Sequence, residues 1–332
     1  MLDKKPHISI VIPVFNGARF IAGCLEALLA QEDAQFKKDY EIIVVDDGSL
    51  DGTAEEVKKY PVRLIQLEHN AGKIHARRLG AESAQHETIL FIDMRVIASK
   101  DLLKRFWEIG YVPVLAGRQL EIEKHDMTAS ERLFYLIRRK YYYPYFPLGK
   151  DRESVYITKE NFNRVPKGTT CLFIDKQSFL ASIPRHFDRN TNDDTTLLEN
   201  IVCKKNVSLL KHRDIVITYL HRTRFKELAQ WVFRRGITFF DFYLSKNFIA
   251  KGMIVLMVIL TWALLGYCII HPIYCMYSLF GLILLYVIAS LFLLETALDI
   301  FVVLPQLWIY LFLFSAGIVK GWSARIAVPS QR

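Results

Sequence analysis

The stretch Glu41-Ile42-Ile43-Val44-Val45-Asp46-Asp47-Gly48-Ser49 decides the fold. Residues 41–45 read as a strand, and two adjacent carboxylates and a glycine close it. A continuous apolar, β-branched run belongs to a strand buried on both faces of a sheet. Carboxylates at the end of such a strand lose hydration and need a partner. In open α/β sheets that edge, beyond the carboxyl ends of the strands, is where ligands bind. A local alternative is that Asp or Ser here simply caps the next helix.

The same pattern recurs on either side. Ile8–Phe15 is a second continuous apolar run. A helix follows from about Ala18, with Ile21, Cys24, Leu25, Leu28 and Leu29 on one apolar stripe. Gly52–Tyr60 reads as a short polar helix and Val62–Leu67 as a strand whose Arg63 and Gln66 suit a less buried place. Gly72–Ala84 is a helix with small residues, and Thr88–Ile92 a further strand. Strand and helix alternating in this way predict a parallel sheet with right-handed crossovers. Beyond Lys100 a helix is expected over Asp101–Trp107 and a strand over Val112–Ala116. Separate short strands are expected at Thr170–Ile174, Val207–Leu210 and Ile215–Leu220, with a helix over Thr195–Lys204.

Three strands then end in polar groups: Asn16-Gly17 after the first, Asp46-Asp47-Gly48-Ser49 after the second, and Asp93 after the fourth. A parallel sheet brings these ends to one edge. The chain has no G-x-G-x-x-G between its first strand and helix and no G-x-x-x-x-G-K-[ST], so the dinucleotide and P-loop readings fall away. The anionic part of a ligand must meet side-chain cations instead. Lys73, Arg77 and Arg78 at the start of the third helix, and Arg95, are the candidates.

Ile10-Val11-Ile12-Pro13-Val14-Phe15-Asn16, taken with Ile42 to Thr53, resembles glycosyltransferase family 2, whose catalytic domain has the GT-A fold. Asn70-Ala71-Gly72-Lys73 with Ala76-Arg77, Ile89 to Asp93, Gly168 to Phe173, and Asn192-Asp193-Asp194-Thr195 resemble later blocks of that family. The resemblance runs over residues 7–240 or so. It implies a nucleotide-diphosphate sugar as donor, with a UDP-sugar favoured, and inverting transfer. By position, Pro13, Val14 and Asp46 would meet the nucleoside, with Asp47 supporting the turn beside them. Arg77 would help to hold the nucleotide, and Asp93 would face the diphosphate and its metal. Asp194 would be the general base, with Asp193 beside it. Inversion needs one carboxylate to take the acceptor proton, while a diphosphate leaving group needs positive charge rather than an acid. Adjacent like charges at 193 and 194 are expected to raise the pKa of one of them. The same two residues also suit the cap of the helix that follows.

The chain departs from the family at the D-x-D motif, where it reads Asp93-Met94-Arg95. Three outcomes stay open. Asp93, the diphosphate and His221 hold Mg²⁺ or Mn²⁺; or Arg95 itself neutralises the leaving group; or the site is degenerate.

The chain carries a formal charge of +9, and 52% of its residues are apolar. The apolar excess is uneven. From Gly252 to Gly321 the only charged side chains are Glu295, Asp299 and Lys320. Gly252–Ile270, Ile273–Leu294 and Leu298–Val319 are each near the ~20 residues that cross a bilayer. Two basic aromatic stretches, Glu131–Tyr145 and Phe225–Phe248, suit a headgroup region. No signal peptide is evident, and Lys246 and Lys251 flank the first span. Five cysteines without metal-ligand spacing read as reduced thiols.

The expected organisation is a GT-A catalytic domain over 1–221, an amphipathic linker over 222–251 and about three spans over 252–332. The expected protein is a membrane-anchored transferase of the cytoplasmic face, a bacterial inner membrane favoured. It would act on a glycan or lipid-linked acceptor in polysaccharide or envelope assembly. A polyprenyl-phosphate glycosyltransferase and a catalytically silent membrane scaffold are the rivals. No nucleic-acid module is present.

Overall fold

The computed structural model describes residues 5–110, 113–120, 127–145, 154–184, 193–220, 225–239 and 298–326, with isolated helical positions at 256, 259, 262, 263, 266, 267, 270 and 284. The strands are β1 (Ile8–Val14), β2 (Tyr40–Asp46), β3 (Arg63–Gln66), β4 (Thr88–Ile92), β5 (Val96–Ala98), β6 (Val114–Leu120), β7 (Val155–Ile157), β8 (Cys171–Asp175) and β9 (Leu209–Tyr219). The helices are α1 (Ala18–Leu29), α2 (Thr53–Val57), α3 (Lys73–Ser83), α4 (Leu102–Ile109), α5 (Ala129–Tyr141), α6 (Lys176–Leu180), α7 (Asp193–Glu199), α8 (Phe225–Phe239) and α9 (Leu298–Ile326). They divide into two compact units. One comprises Met1–Ile122, Tyr142–Arg189 and Asp193–His221; the other comprises Glu123–Tyr141, Asn190–Asn192 and Arg222–Arg332.

The first unit is built on one sheet in the order β3-β2-β1-β4-β8-β6-β9-β5, with β7 paired to β9. β3, β2, β1 and β4 are parallel, as the alternating pattern requires. At β8 the direction reverses against β4. Successive side chains of a strand point to opposite faces, and β1 feeds two cores. Ile8, Ile10 and Ile12 join Ile21, Cys24, Leu25 and Leu28 of α1. Val11 joins Ile43, Val45, Ile74 of α3 and Leu197 of α7. Hence strands 1 and 2 read as unbroken apolar runs. β3 is an edge strand, and Arg63 and Gln66 are exposed there.

Two expectations change. The strands expected at 207–210 and 215–220 are one, β9, running through Lys211-His212-Arg213-Asp214. A ladder is held by backbone hydrogen bonds, so a polar insert continues the strand with Arg213 and Asp214 exposed. The helix expected over 195–204 begins at Asp193 and gives way to a π-helical turn over Asn200–Lys204. Asp193 and Asp194 are thus its first turn rather than a cap ahead of it. Cys24 and Cys171 are buried thiols in no disulfide.

In the second unit α5, α8 and α9 pack together. Arg132 of α5 donates from Nε and from a terminal nitrogen to Asp299, at 3.0 and 3.1 Å. Asp299 is only 5% exposed, so the pair is desolvated. Ser130 donates to Gln306 at 2.5 Å, and the Phe134 ring lies 5.3 Å from both Trp231 and Tyr310. α8 and α9 cross at Gly236 and Gly317. A Cβ on Gly317 would stand 2.1 Å from the carbonyl oxygen of Phe233, so only glycine allows this approach.

Among the described residues no helix is long and apolar enough to cross a membrane. The third expected span is helical throughout, within α9. Its first turns, however, bury an acid and a glutamine against partners on α5, the packing of a bundle face. The first two expected spans, and the linker beyond Phe239, lie outside the described residues apart from the isolated positions.

Candidate active site

The carboxyl edge of the parallel strands is built around Asp46, the last residue of β2, opposite Val14 in the β1 register. Asp46 is fully buried. Its Oδ1 accepts the Ser49 N–H at 3.0 Å, closing the turn. Its Oδ2 takes no hydrogen bond among the described residues. A buried carboxylate oxygen without a donor is costly, and a ligand O–H or N–H would satisfy it. Pro13 and Val14 are buried at the end of β1, facing Val45 and Asp46 in the ladder. The two loops beyond are laced together. Asn16 N–H donates to Ser49 Oγ at 2.8 Å, Leu50 N–H to Asn16 Oδ1 at 2.9 Å, and Gly17 N–H to Thr53 Oγ1 at 2.9 Å.

Asp47 does a different job. Its two oxygens accept the N–H groups of Ala71 and Gly72, at 2.8 and 2.9 Å. It thereby caps α3 from a distant loop, which has no side-chain cap of its own. Burial pushes the Asp47 pKa up, and the two amides pull against that rise. With each oxygen accepting a backbone N–H, Asp47 supports the turn ahead of α3. Gly48 sits at φ +73°, where a Cβ would meet the backbone of His69 and Asn70 at 2.7–2.9 Å.

Asp194 is the centre of a second cluster. Arg77 of α3, 1% exposed in its side chain, donates to Asp194 Oδ1 at 2.6 Å and to the Thr169 carbonyl at 3.2 Å. The Thr169 hydroxyl donates to the same Asp194 oxygen. Lys73 Nζ lies 3.5 Å from Asp194 Oδ2 and 3.8 Å from Asp93 Oδ2. Asp93 Oδ1 accepts the Arg95 N–H at 3.1 Å, and Asp93 N–H donates to the Thr170 carbonyl at 2.9 Å. The reversal at β8 makes this possible, because it sets residues 169–170 against the end of β4.

These contacts correct two expectations. Burial pushes Asp194 up, but Lys73, Arg77 and the two hydrogen bonds outweigh it and hold the carboxyl well below the usual carboxylate range. The expected upward shift of one member of the pair does not fall on Asp194, where the cations stand closer than any like charge described. Arg77, expected on the nucleotide, is instead the buried counter-ion of Asp194. Arg78 pairs with Glu82 on the exposed side of α3. The Asp193 side chain and His221 lie outside the described residues. Thr169 is not among the residues expected at the site, although it lies in the block from Gly168 to Phe173 that resembles the family.

The metal expected at Asp93 has an ill-suited setting. Among the described residues no group of three or more His, Cys, Asp or Glu comes together. Asp93 faces the Lys73 ammonium rather than a second carboxylate. Met94 is turned inward; a Cβ on Gly17 would meet its sulfur at 2.3 Å. Arg95 is 7% exposed, its guanidinium 4.3 Å over the Phe20 ring. Mg²⁺ and Mn²⁺ want several oxygen ligands, and the two carboxylates here, Asp93 and Asp194, share the Lys73 ammonium, with Arg77 on the second.

The chain is 33% identical over 133 residues to the succinoglycan biosynthesis protein ExoO of Rhizobium meliloti, covering 39% of this chain and 36% of that protein. It is 32% identical over 193 residues to the teichoic acid poly(glycerol phosphate) polymerase of Staphylococcus epidermidis, covering 56% of this chain and 24% of that one. The matched part thus spans well under half the length of either relative. The mannosyltransferase PcManGT of Pyrobaculum calidifontis, solved with GDP-Man and Mn²⁺, matches over 97% of this chain and 88% of its own, with a TM-score of 0.57 and 14% identity. That likeness is one of fold, and it places this chain among mixed α/β, GT-A-like proteins. Residues 9–109, which carry Asp46, Asp47, Arg77, Asp93 and Arg95, match the model of the family Glycosyl transferase family 2.

Proposed function

We propose that this chain is a glycosyltransferase that moves a sugar, with inversion, from a nucleoside-diphosphate sugar to a hydroxyl of a glycan or lipid-linked acceptor. The observation that carries the reading is Asp46: a buried carboxylate on the binding edge of the sheet with one oxygen unused, suited to a nucleoside donor group. The cations around Asp93 and Asp194 supply the charge that a diphosphate needs. In the step itself the acceptor oxygen attacks the anomeric carbon. The bond to the diphosphate breaks, its electron pair leaves with the diphosphate, and the acceptor proton passes to Asp194. Thr169 and Arg77 fix the carboxylate so that Oδ2 is left toward Lys73. The names of the two relatives, which concern succinoglycan and teichoic acid, favour an extracellular or envelope glycan as product.

The same proposal sets the protein at a membrane, with its catalytic unit on the cytoplasmic side. Support comes from the second unit. Arg138, Arg139 and Lys140 end α5, while Leu256, Ile259, Trp262, Ile270, Leu311 and Phe312 expose large apolar side chains. Exposed apolar side chains and a basic helix end within one unit suit an anionic bilayer.

A thermal-shift series with UDP-, GDP- and other nucleotide sugars tests the donor. We expect one nucleotide class to raise the melting temperature in the wild type and much less in Asp46→Ala; a flat response across the series would sink the reading. Co-sedimentation with phosphatidylglycerol vesicles, and not with phosphatidylcholine alone, is the expected outcome for the membrane part. Equal pelleting with both, or with neither, speaks against the proposed surface.

A further inference from the structure

The third helix begins with a lysine, which is the wrong charge for that end. The amino terminus of a helix carries partial positive charge, so a cation at the first position is disfavoured there. Lys73 is nevertheless held in place by two carboxylates from distant parts of the chain, 3.8 Å from Asp93 and 3.5 Å from Asp194. Its side chain is 37% exposed, within reach of a ligand, whereas Arg77 beside it is sealed in. Next to it, the residue two places after Asp93 is the buried cation Arg95 rather than a carboxylate. A divalent ion brought to Asp93 would meet an ammonium on the same oxygen, and the second carboxylate at that ammonium, Asp194, is already paired with the buried Arg77.

We infer that Lys73 takes the part a divalent metal would otherwise play: it receives the donor diphosphate, with Arg95 in support, and donor binding needs no metal. The inference rests on the nucleotide-sugar reading above and deepens it. It also gives Lys73 a second effect. One ammonium serves both Asp93 and Asp194 in the unliganded protein. When a diphosphate draws it away, Asp194 loses one of the two cations that depress its pKa and becomes the stronger base. Donor binding would thus ready the base for the acceptor hydroxyl, and a carboxylate too acidic for the task at rest is relieved only once a donor is in place.

The test is calorimetric titration of the full chain with UDP and GDP, in EDTA and in Mn²⁺. We expect the better of the two to bind with affinities in the two buffers that agree within about threefold, well under the tenfold that 1.4 kcal/mol represents. Lys73→Met should weaken binding in EDTA by about tenfold or more, and Lys73→Arg should recover most of it, which also guards against a simple folding defect. Arg95→Asp, which restores a D-x-D pattern, should make affinity depend on Mn²⁺. Binding that is lost in EDTA and returned by Mn²⁺ in the wild type overturns the inference while leaving the nucleotide reading intact. No binding of either nucleotide in either buffer, in protein with a normal melting transition, overturns both.

Discussion

Asp46 and Asp194 are two carboxylates of one unit with opposite sets of partners. Asp46 is buried with one oxygen bonded to its own turn and the other unused. Asp194 is one-quarter exposed in its side chain, yet is met by Arg77, Lys73 and Thr169. The first is an acceptor kept open, so its missing partner should come from outside. The second is satisfied before any ligand arrives, so the protein has already spent cations to keep it ionised. The contrast separates recognition from chemistry: an unfilled acceptor reads a ligand, and a clamped anion is held for a reaction.

The sharpest way to break that contrast is Asp194→Asn. It keeps an acceptor for Arg77 and Thr169 but removes the charge. Turnover should fall about 10²- to 10⁴-fold, with nucleotide affinity nearly kept; full turnover would remove Asp194 from the chemistry. Next in size is Arg77→Met, which strips the buried side of the clamp. We expect a loss of about 2–4 kcal/mol in urea unfolding, below the range for breaking fully buried pairs because Lys73 and Thr169 remain. Asp46→Ala should act the other way round. It should cost about 1.5–3 kcal/mol of nucleotide binding, the worth of a hydrogen bond to a charged group, and only about 1 kcal/mol of stability through the lost Ser49 contact. Equal losses in binding and stability would make Asp46 a structural residue only.

The smallest effect is the pH response, and here the neighbour Asp47 makes the comparison. The folded pKa of Asp194 is depressed, so its contribution to stability is present above the unfolded carboxylate value of about 4 and is lost only as pH falls through the lower folded value. The folded pKa of Asp47 is raised, chiefly by burial. Its contribution is therefore fully present below the unfolded value and is lost as pH rises through the raised one. Carbon-detected carboxyl titration should show Asp47 protonating well before Asp194 as acid is added. The reverse order would mean that the cations around Asp194 are not held as described.

Much of the donor edge was readable from residue order. Ile10–Phe15 and Ile42–Val45 are apolar throughout because both faces of β1 and β2 are covered, and parallel strands must put Asn16, Asp46 and Asp93 on one edge. The division of labour between Asp46 and Asp47 was suggested by the family resemblance alone, and the hydrogen bonds of the two turns give it a physical basis. The acidic clamp was less legible. Arg77 and Asp194 are 117 positions apart, and nothing in either neighbourhood says that a sealed arginine ends on that carboxylate. Local charge alone could not say how Asp194 is shifted, because like charge was visible next door and the opposing charges were not. In the helical unit, apolarity suggested a span over Leu298–Val319, yet Asp299 and Gln306 find their partners on α5. Hydropathy measures what a helix lacks in charge and not which neighbour covers its few polar groups.

The sequence by itself determined the alternation of strand and helix, the parallel core and the edge at which carboxylates gather, because periodicity and propensity act within a few residues. The tertiary structure alone decided which of those carboxylates is left open and which is clamped. Charge–charge and hydrogen-bond energies depend on distance and burial in space, and it takes the antiparallel pairing of β8 with β4 to bring Thr170 beside Asp93, and the folding of α7 onto α3 to bring Asp194 to Arg77 and Lys73.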